Sequence, residues 1–338
     1  MLQKFQIALD PLYRLKNDFQ SGLQQVDQLI LENVSANEPL IKTIATTLIS
    51  AGGKRLRPLL CLASSQLAGK VAQNSFYLAA AVELIHAATL LHDDVIDESY
   101  LRRGKQTANR CWGNKPSILV GDFLFARAFE LMVKTGNIRF LDILASASAK
   151  ISEGEVTQLR CIKSLTIDIE EYLKIIEYKT ATLFAAACQT GALSAGANEA
   201  TAHQLYEFGK YFGLMYQILD DVLDYTDASR GKQVGDDFRE GKVTFPILLA
   251  YQADTNKAFW HRCFDSNKEN NIEFSDVVKR LYDLGTFEQS IAAATQYAQK
   301  AQKSLQLFNS PISEMMHSLV ESFLEKQYAT SSLSSASK

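Results

Sequence analysis

Two stretches of this 338-residue chain carry the residue types from which a metal and phosphate site can be built. The first runs from Leu90 to Gly104, where Asp93, Asp94 and Asp97 leave an apolar run and Arg102 and Arg103 follow closely. Asp93 and Asp97 are four apart, so on a helix both carboxylates leave one face on successive turns. Their mutual repulsion calls for bound cations. Hard oxygen donors of this kind suit Mg²⁺, which keeps several waters and binds one or two carboxylates together with substrate phosphates. The second stretch repeats the first: Asp220, Asp221 and Asp224 follow the apolar segment from Tyr216 with the same Asp-Asp-x-x-Asp spacing. One such pattern is unremarkable at a helix end, whereas two with the same approach describe opposed carboxylate walls that can bracket a diphosphate through Mg²⁺.

Cations accompany the acids. Gly53-Lys-Arg-Leu-Arg-Pro58 places Lys54 and Arg57 at a helix boundary, where backbone amides, a helix N-terminus and guanidinium groups can meet a phosphate. Taken alone it is an ordinary basic turn, and it gains meaning from the acidic motifs downstream. Lys179 and Thr180 interrupt an alanine-rich apolar segment, so the ammonium must snorkel outward or meet an anion. The Gly231 to Pro246 segment carries Lys232, Arg239 and Lys242 and suits a lid over phosphates. His86 lies seven residues before Asp93, as open to a core role as to lining the same face.

The elements that must position these groups read as helices. Apolar residues make up 47% of the chain and prolines number only 6, which favours a mostly helical protein. The net charge of -3 gives no argument for nucleic acid or an anionic membrane, so any anionic substrate is held locally. Cys61, Cys111, Cys161, Cys188 and Cys263 form no CxxC pair and read as reduced thiols of a cytoplasmic protein. Helical periodicity is expected over 7–31, 39–50, 59–68, 76–91, 116–132, 141–159, 169–193, the approach to Asp220, 246–263, 274–283, 286–307 and 311–327. Residues 104–115 read as a loop or broken helix. A single all-helical domain over 1–328 is expected, with the Ser-rich 329–338 tail disordered.

In this order the motifs resemble the trans-isoprenyl diphosphate synthases, or polyprenyl synthetases, and among them the long-chain members such as octaprenyl diphosphate synthase. The resemblance spans about residues 42–327. It implies an all-α bundle around a deep central cavity, usually in a homodimer, that condenses isopentenyl diphosphate with an allylic diphosphate. By matched position, Lys54, Arg57, His86 and Arg103 would bind isopentenyl diphosphate. Arg102, Lys179, Thr180, Gln217, Lys232 and Lys242 would bind the allylic diphosphate. Asp93, Asp97 and Asp220 would be the direct ligands of up to three Mg²⁺, with Asp94, Asp221 and Asp224 completing the walls. Asp93, Asp97, Lys179, Thr180, Gln217 and Asp220 would be the catalytic set.

Product length in such an enzyme depends on what blocks the cavity. Ala88 and Thr89 occupy positions where short-chain members place aromatic residues, so the tunnel is expected to stay open, with Phe125, Phe129, Leu131 or Met132 as a deeper floor. A product of the heptaprenyl-to-decaprenyl class follows, octaprenyl foremost, destined for a quinone side chain. Its release would involve transient membrane contact. Val243 departs from a proline common in the family's lid segment. The competing readings are a shorter-chain synthase, a terpene cyclase, a non-catalytic partner subunit and an ion-binding helical scaffold. A cyclase needs one diphosphate site where two are visible. A partner subunit would lose site residues, and a scaffold leaves the cations unexplained.

Overall fold

A computed structural model of the chain describes residues 10–102, 104–226, 234–265 and 272–335, with side chains in the last helix described through Glu325. The expected first helix is two, α1 (Pro11–Asp18) and α2 (Gln20–Asn33), with a break at Phe19. They are followed by α3 (Pro39–Ser50) and α4 (Leu56–Ala68). Next comes α5 (Gln73–Ile96), longer than the periodicity predicts because it carries the first acidic motif on its last turn. This helix is long and apolar enough to cross a membrane, but two thirds of its apolar window is buried inside the protein (67%), as a core helix requires.

After α5 the chain forms a short antiparallel hairpin, β1 (Leu101–Arg102) with β2 (Lys105–Gln106), where a loop or broken helix is expected from sequence. Gly104, at a positive φ of 75°, allows the reversal, and Thr107 N–H closes it on Tyr100 O at 3.1 Å. Beyond the hairpin are α6 (Ala108–Trp112), α7 (Asn114–Lys134) and α8 (Ile138–Arg160). The expected helix over 169–193 is split into α9 (Ile169–Ile176) and α10 (Thr182–Ser194) by a five-residue π-turn, Glu177–Ala181.

The long α11 (Glu199–Thr226) ends in the second acidic motif, and α12 (Asp236–Arg239) is a single turn after it. The expected helix over 246–263 is α13 (Phe245–Ala253) and α14 (Lys257–Cys263). Asp254 breaks it, because its buried carboxylate accepts from Asn256 N–H (2.8 Å), Trp260 Nε1 (2.9 Å) and Arg280 Nη2 (2.9 Å). Then come α15 (Phe274–Asp283), α16 (Thr286–Ser304) and α17 (Pro311–Ser335). The last helix runs through Ser335, whereas disorder is expected from Ala329: the Ser- and Ala-rich run contains no glycine or proline to stop it.

The fold is a helical bundle whose middle consists of α5, α10 and α11. α5 packs along α7, α10 lies between α4 and α11, and α16 covers the far side of α11. Side chains such as Leu84, Ala88, Leu91, Phe184, Phe212 and Ile218 are buried there. This packing brings the C-terminal ends of α5 and α11 into one region with the π-turn.

Candidate active site

Both acidic motifs stand at helix C-termini, the negative end of the helix dipole, where carboxylates are disfavoured unless cations offset them. The structure joins them through a continuous set of contacts. Lys242 donates to Asp97 Oδ2 at 2.8 Å and also meets Glu240 (2.6 Å) and Asp237 (3.7 Å). Asp237 N–H in turn donates to Asp224 Oδ2 at 3.2 Å. Burial works against the charge on Lys242, yet Asp237, Asp97 and Glu240 together push its ammonium far above the ordinary lysine range.

The six motif carboxylates divide by burial: Asp94 and Asp221 are buried, and Asp93, Asp97, Asp220 and Asp224 half-buried. Asp94 is buried, and the Arg102 guanidinium grips its Oδ1 through Nε (2.8 Å) and Nη2 (2.7 Å). Asp221 is also buried and accepts from Tyr172 O–H (2.6 Å), Gln217 Nε2 (3.0 Å) and Phe245 N–H (3.1 Å). Burial, then the charge of Asp237, pushes its carboxyl up to about 7 against the pull of these donors. Asp94 and Asp221 therefore fix their helix ends to the hairpin, to α9 and to α13. Asp93 is half-buried, and among the described residues no cation lies within ion-pairing distance of it.

The cations divide likewise. Arg55, in a left-handed conformation at the start of α4, pairs with Glu83 (2.5 Å) and Asp27 (3.3 Å), so it ties α4 to α5 and α2. This accounts for the lone Glu83 in an apolar helix. Lys54 lies over the rings of Phe323 (4.9 Å) and Tyr216 (5.6 Å). Arg57 stacks on Phe184 at 4.2 Å, and its buried Nε has no hydrogen-bond partner among the described residues. Burial lowers the pKa of Arg57. His86 sits half-buried on α5, two turns before Asp93. Arg103 and Lys232 lie outside the described residues.

Lys179 neither snorkels nor stays open: Glu155 Oε2 (2.8 Å) and Gln158 Oε1 (2.9 Å), both on α8, hold its ammonium. Thr180 Oγ1 donates to Gln217 Oε1 at 2.7 Å, and Gln217 donates onward to Asp221. Lys179, Thr180, Gln217, Asp221, Asp237 and Lys242 border one cavity of about 80 Å³ that Ile167, Tyr172 and Ile176 also line. Of the chain-length candidates, Ala88, Leu131 and Met132 are fully buried and Thr89 and Phe125 half-buried. Phe129 is 38% exposed on the outer side of α7, apart from the others.

Sequence reasoning misses Glu155, Gln158, Tyr172, Asp237 and Glu240. The separation of Asp94 and Asp221 from their neighbours had a signal: adjacent residues on a helix point about 100° apart, so an Asp-Asp pair cannot present both carboxylates to one ion.

The donor set fits Mg²⁺. A lysine ammonium already stands among Asp97, Glu240 and Asp237, which marks the place as one where a cation is wanted. Among the described residues no three acidic, histidine or cysteine side chains converge closely enough to hold a metal unaided. The orphaned Arg57 Nε suits an incoming anion in the same way.

Comparison with known proteins identifies relatives over most of the chain. The family model described as polyprenyl synthetase matches residues 38–282. The octaprenyl diphosphate synthase of Haemophilus influenzae is 37% identical over 317 residues, 93% of this chain and 95% of its own length. Heptaprenyl diphosphate synthase component 2 of Geobacillus stearothermophilus is 38% identical over 298 residues, 87% of this chain and 91% of its own. A crystal structure of a polyprenyl synthase from Caulobacter crescentus, complexed with calcium and isoprenyl diphosphate, superposes with a TM-score of 0.90 at 43% identity. It covers 94% of this chain and 98% of that one.

Proposed function

This chain belongs to the polyprenyl synthetase family and is a prenyltransferase, and we propose that it extends an allylic diphosphate with successive isopentenyl diphosphate units to a long-chain all-trans product. Octaprenyl diphosphate is the foremost expectation, for a quinone side chain, in line with relatives named for heptaprenyl, octaprenyl and decaprenyl products. The observation that carries the reading is the union of both acidic motifs through Lys242 and Asp237 beside Lys179, Thr180 and Gln217.

In this reading Asp93, Asp97, Asp220 and Asp224 would hold the metal, while Asp94 and Asp221 position the two helix ends. Mg²⁺, when bound, supplies neutralisation of charge on the leaving diphosphate. Lys179 and Lys242, with Lys232, receive the allylic diphosphate, and Arg102 keeps the Asp93 end of α5 in place through Asp94. Lys54, Arg57, His86 and Arg103 receive the diphosphate of isopentenyl diphosphate. The allylic C–O bond then breaks, the C4 alkene carbon of isopentenyl diphosphate attacks the allylic cation, and a proton passes to the released diphosphate. Thr180 and Gln217 hold each other's polar atoms in a fixed orientation beside the cation. Catalysis rests on positioning and electrostatics, with no protein nucleophile.

Ala88 and Thr89 would leave room for the growing chain, with Leu131, Met132 or Phe125 as a deeper floor. Phe129 belongs instead with exposed Ile118, Leu119 and Val133 on α7, an apolar stripe suited to a second copy of the chain in a homodimer. Sedimentation of the protein and of Phe129→Asp tests that assignment. The enzyme would work in the cytoplasm and release its apolar product through transient membrane contact.

The deciding experiment is elongation by the purified chain with Mg²⁺, farnesyl diphosphate and labelled isopentenyl diphosphate, products sized after dephosphorylation. Long polyprenols are expected. No elongation by the chain alone would favour the second reading, one component of a two-component synthase, which the component 2 relative supports. Products stopping at geranylgeranyl would favour a shorter-chain enzyme.

A further inference from the structure

Different chemistry holds the cations of the basic segment. Arg55 is taken by two carboxylates, Glu83 at 2.5 Å and Asp27 at 3.3 Å. Lys54 and Arg57 stand on aromatic rings that belong to one cluster. Arg57 stacks on Phe184 of α10 at 4.2 Å, and the Lys54 ammonium lies 4.9 Å from the ring centre of Phe323 and 5.6 Å from that of Tyr216. The rings meet in turn: Phe184 and Phe212 edge-on at 5.3 Å, Phe212 and Phe323 edge-on at 5.7 Å, Phe323 and Tyr216 at 5.5 Å. α10 and α11 come this close because of Gly209, where a Cβ would stand 2.5 Å from Phe184 O.

Phe323 differs from the other members. It belongs to α17, the last helix, and lies beyond the residues 38–282 that match the family model. Phe184 and Phe212 are fully buried, so core packing accounts for them, whereas Phe323 is half-buried and is the nearer of the two rings beneath an exposed lysine. A ring face attracts an ammonium through its quadrupole but carries no net charge, so it leaves intact the positive charge that a phosphate needs. It also confines a long, flexible side chain before the ligand arrives, which lowers the entropic cost of binding.

We propose that Phe323 is a positioning residue for isopentenyl diphosphate: its ring holds the Lys54 ammonium ready for the diphosphate, so the last helix forms part of a site whose cations come from the start of α4. The edge contact with Phe212 fixes the ring in turn. The inference rests on the reading of Lys54 as a ligand of that diphosphate.

The test is calorimetric titration of the full chain with isopentenyl diphosphate in chelator, so that the metal-dependent acidic motifs take no part. It compares the wild type with Lys54→Met, Phe323→Leu, Phe323→Tyr and the double variant Lys54→Met/Phe323→Leu, with melting temperatures confirming that each folds. Lys54→Met should weaken binding about tenfold or more, as for a lost hydrogen bond to a charged group. Phe323→Leu stays apolar but removes the ring, and is expected to weaken binding about two- to fivefold, the scale of one exposed cation–π contact. Phe323→Tyr keeps the ring and should bind as the wild type does. In the Lys54→Met background Phe323→Leu should add no further loss, the signature of coupling through Lys54. Binding by Phe323→Leu that equals or exceeds the wild type, with Lys54→Met impaired, would overturn the proposal and leave the diphosphate reading intact. An equal loss from Phe323→Leu with and without Lys54 would also overturn it, since the ring would then act through packing alone. Unimpaired binding by Lys54→Met would remove the reading of Lys54 and the proposal with it.

Discussion

Lys242→Met probes the junction between the two acidic motifs. The ammonium is the shared partner of Asp97, Glu240 and Asp237, and it is 12% exposed against 16% for Asp97. Removing one member of a buried pair costs about 3–5 kcal/mol, and the residual exposure of this site places it near the lower end. At about 2.1 cal/mol/K per residue, the 338 residues have an unfolding entropy of about 0.7 kcal/mol/K, so a loss of about 3 kcal/mol lowers the melting temperature by about 4 °C. The assay is calorimetry of the full chain in chelator, then in Mg²⁺ with inorganic pyrophosphate. The variant should melt early in chelator and recover more than the wild type when cation and anion are supplied, because the metal restores positive charge that methionine lacks. Equal melting of variant and wild type in chelator would refute the view that this lysine holds the carboxylates together.

Tyr172→Phe removes a donor from buried Asp221. A loss of about 1–3 kcal/mol in urea denaturation is expected, as when a buried acceptor loses its donor, together with a lower kcat, since Gln217 shares the same carboxylate. Ala88→Tyr fills a fully buried position on α5 and should shorten the product; an unchanged length distribution on chromatography would remove Ala88 from the tunnel. Asp254 is held well below the usual carboxylate range by Arg280, aided by Asn256 N–H and Trp260 against the effect of burial. Its folded pKa is depressed, so its contribution to stability is present above the ordinary carboxylate range and lost as pH falls through the depressed value. Asp254→Asn should therefore be less stable than the wild type near neutrality and converge with it in strong acid, as read from urea midpoints across pH.

The sequence made the site's ends legible and its interior connections illegible. The four-residue spacing of Asp93 and Asp97 and its recurrence at Asp220 and Asp224 could be read as one face of a helix, and the structure places both pairs at helix C-termini. The bundle followed from apolar periodicity. The basic segment at 54–57 was visible as charge, but its division into Arg55, which joins helices, and Lys54 and Arg57, which sit on aromatic rings, depends on helices that meet only in three dimensions. Glu155 and Lys179 are 24 residues apart, and no local pattern announces their pairing. Breaks escaped for a similar reason: Asp254 ends a helix by capturing groups from Trp260 and Arg280, both on later helices.

The π-turn at Glu177–Ala181 has a consequence for how this protein can vary. It holds one residue more than an α-helical turn needs, and that residue sets the phase between α9 and α10. Deleting any single residue within it would let the chain relax into a continuous α-helix, and everything on one side would turn by about 100° relative to the other. Tyr172 would then miss Asp221, or Lys179 and Thr180 would miss Glu155 and Gln217. Point substitutions here alter one contact at a time, but a one-residue deletion would dismantle both walls of the site at once. The length of this short segment should thus be more tightly constrained than the identity of most residues within it.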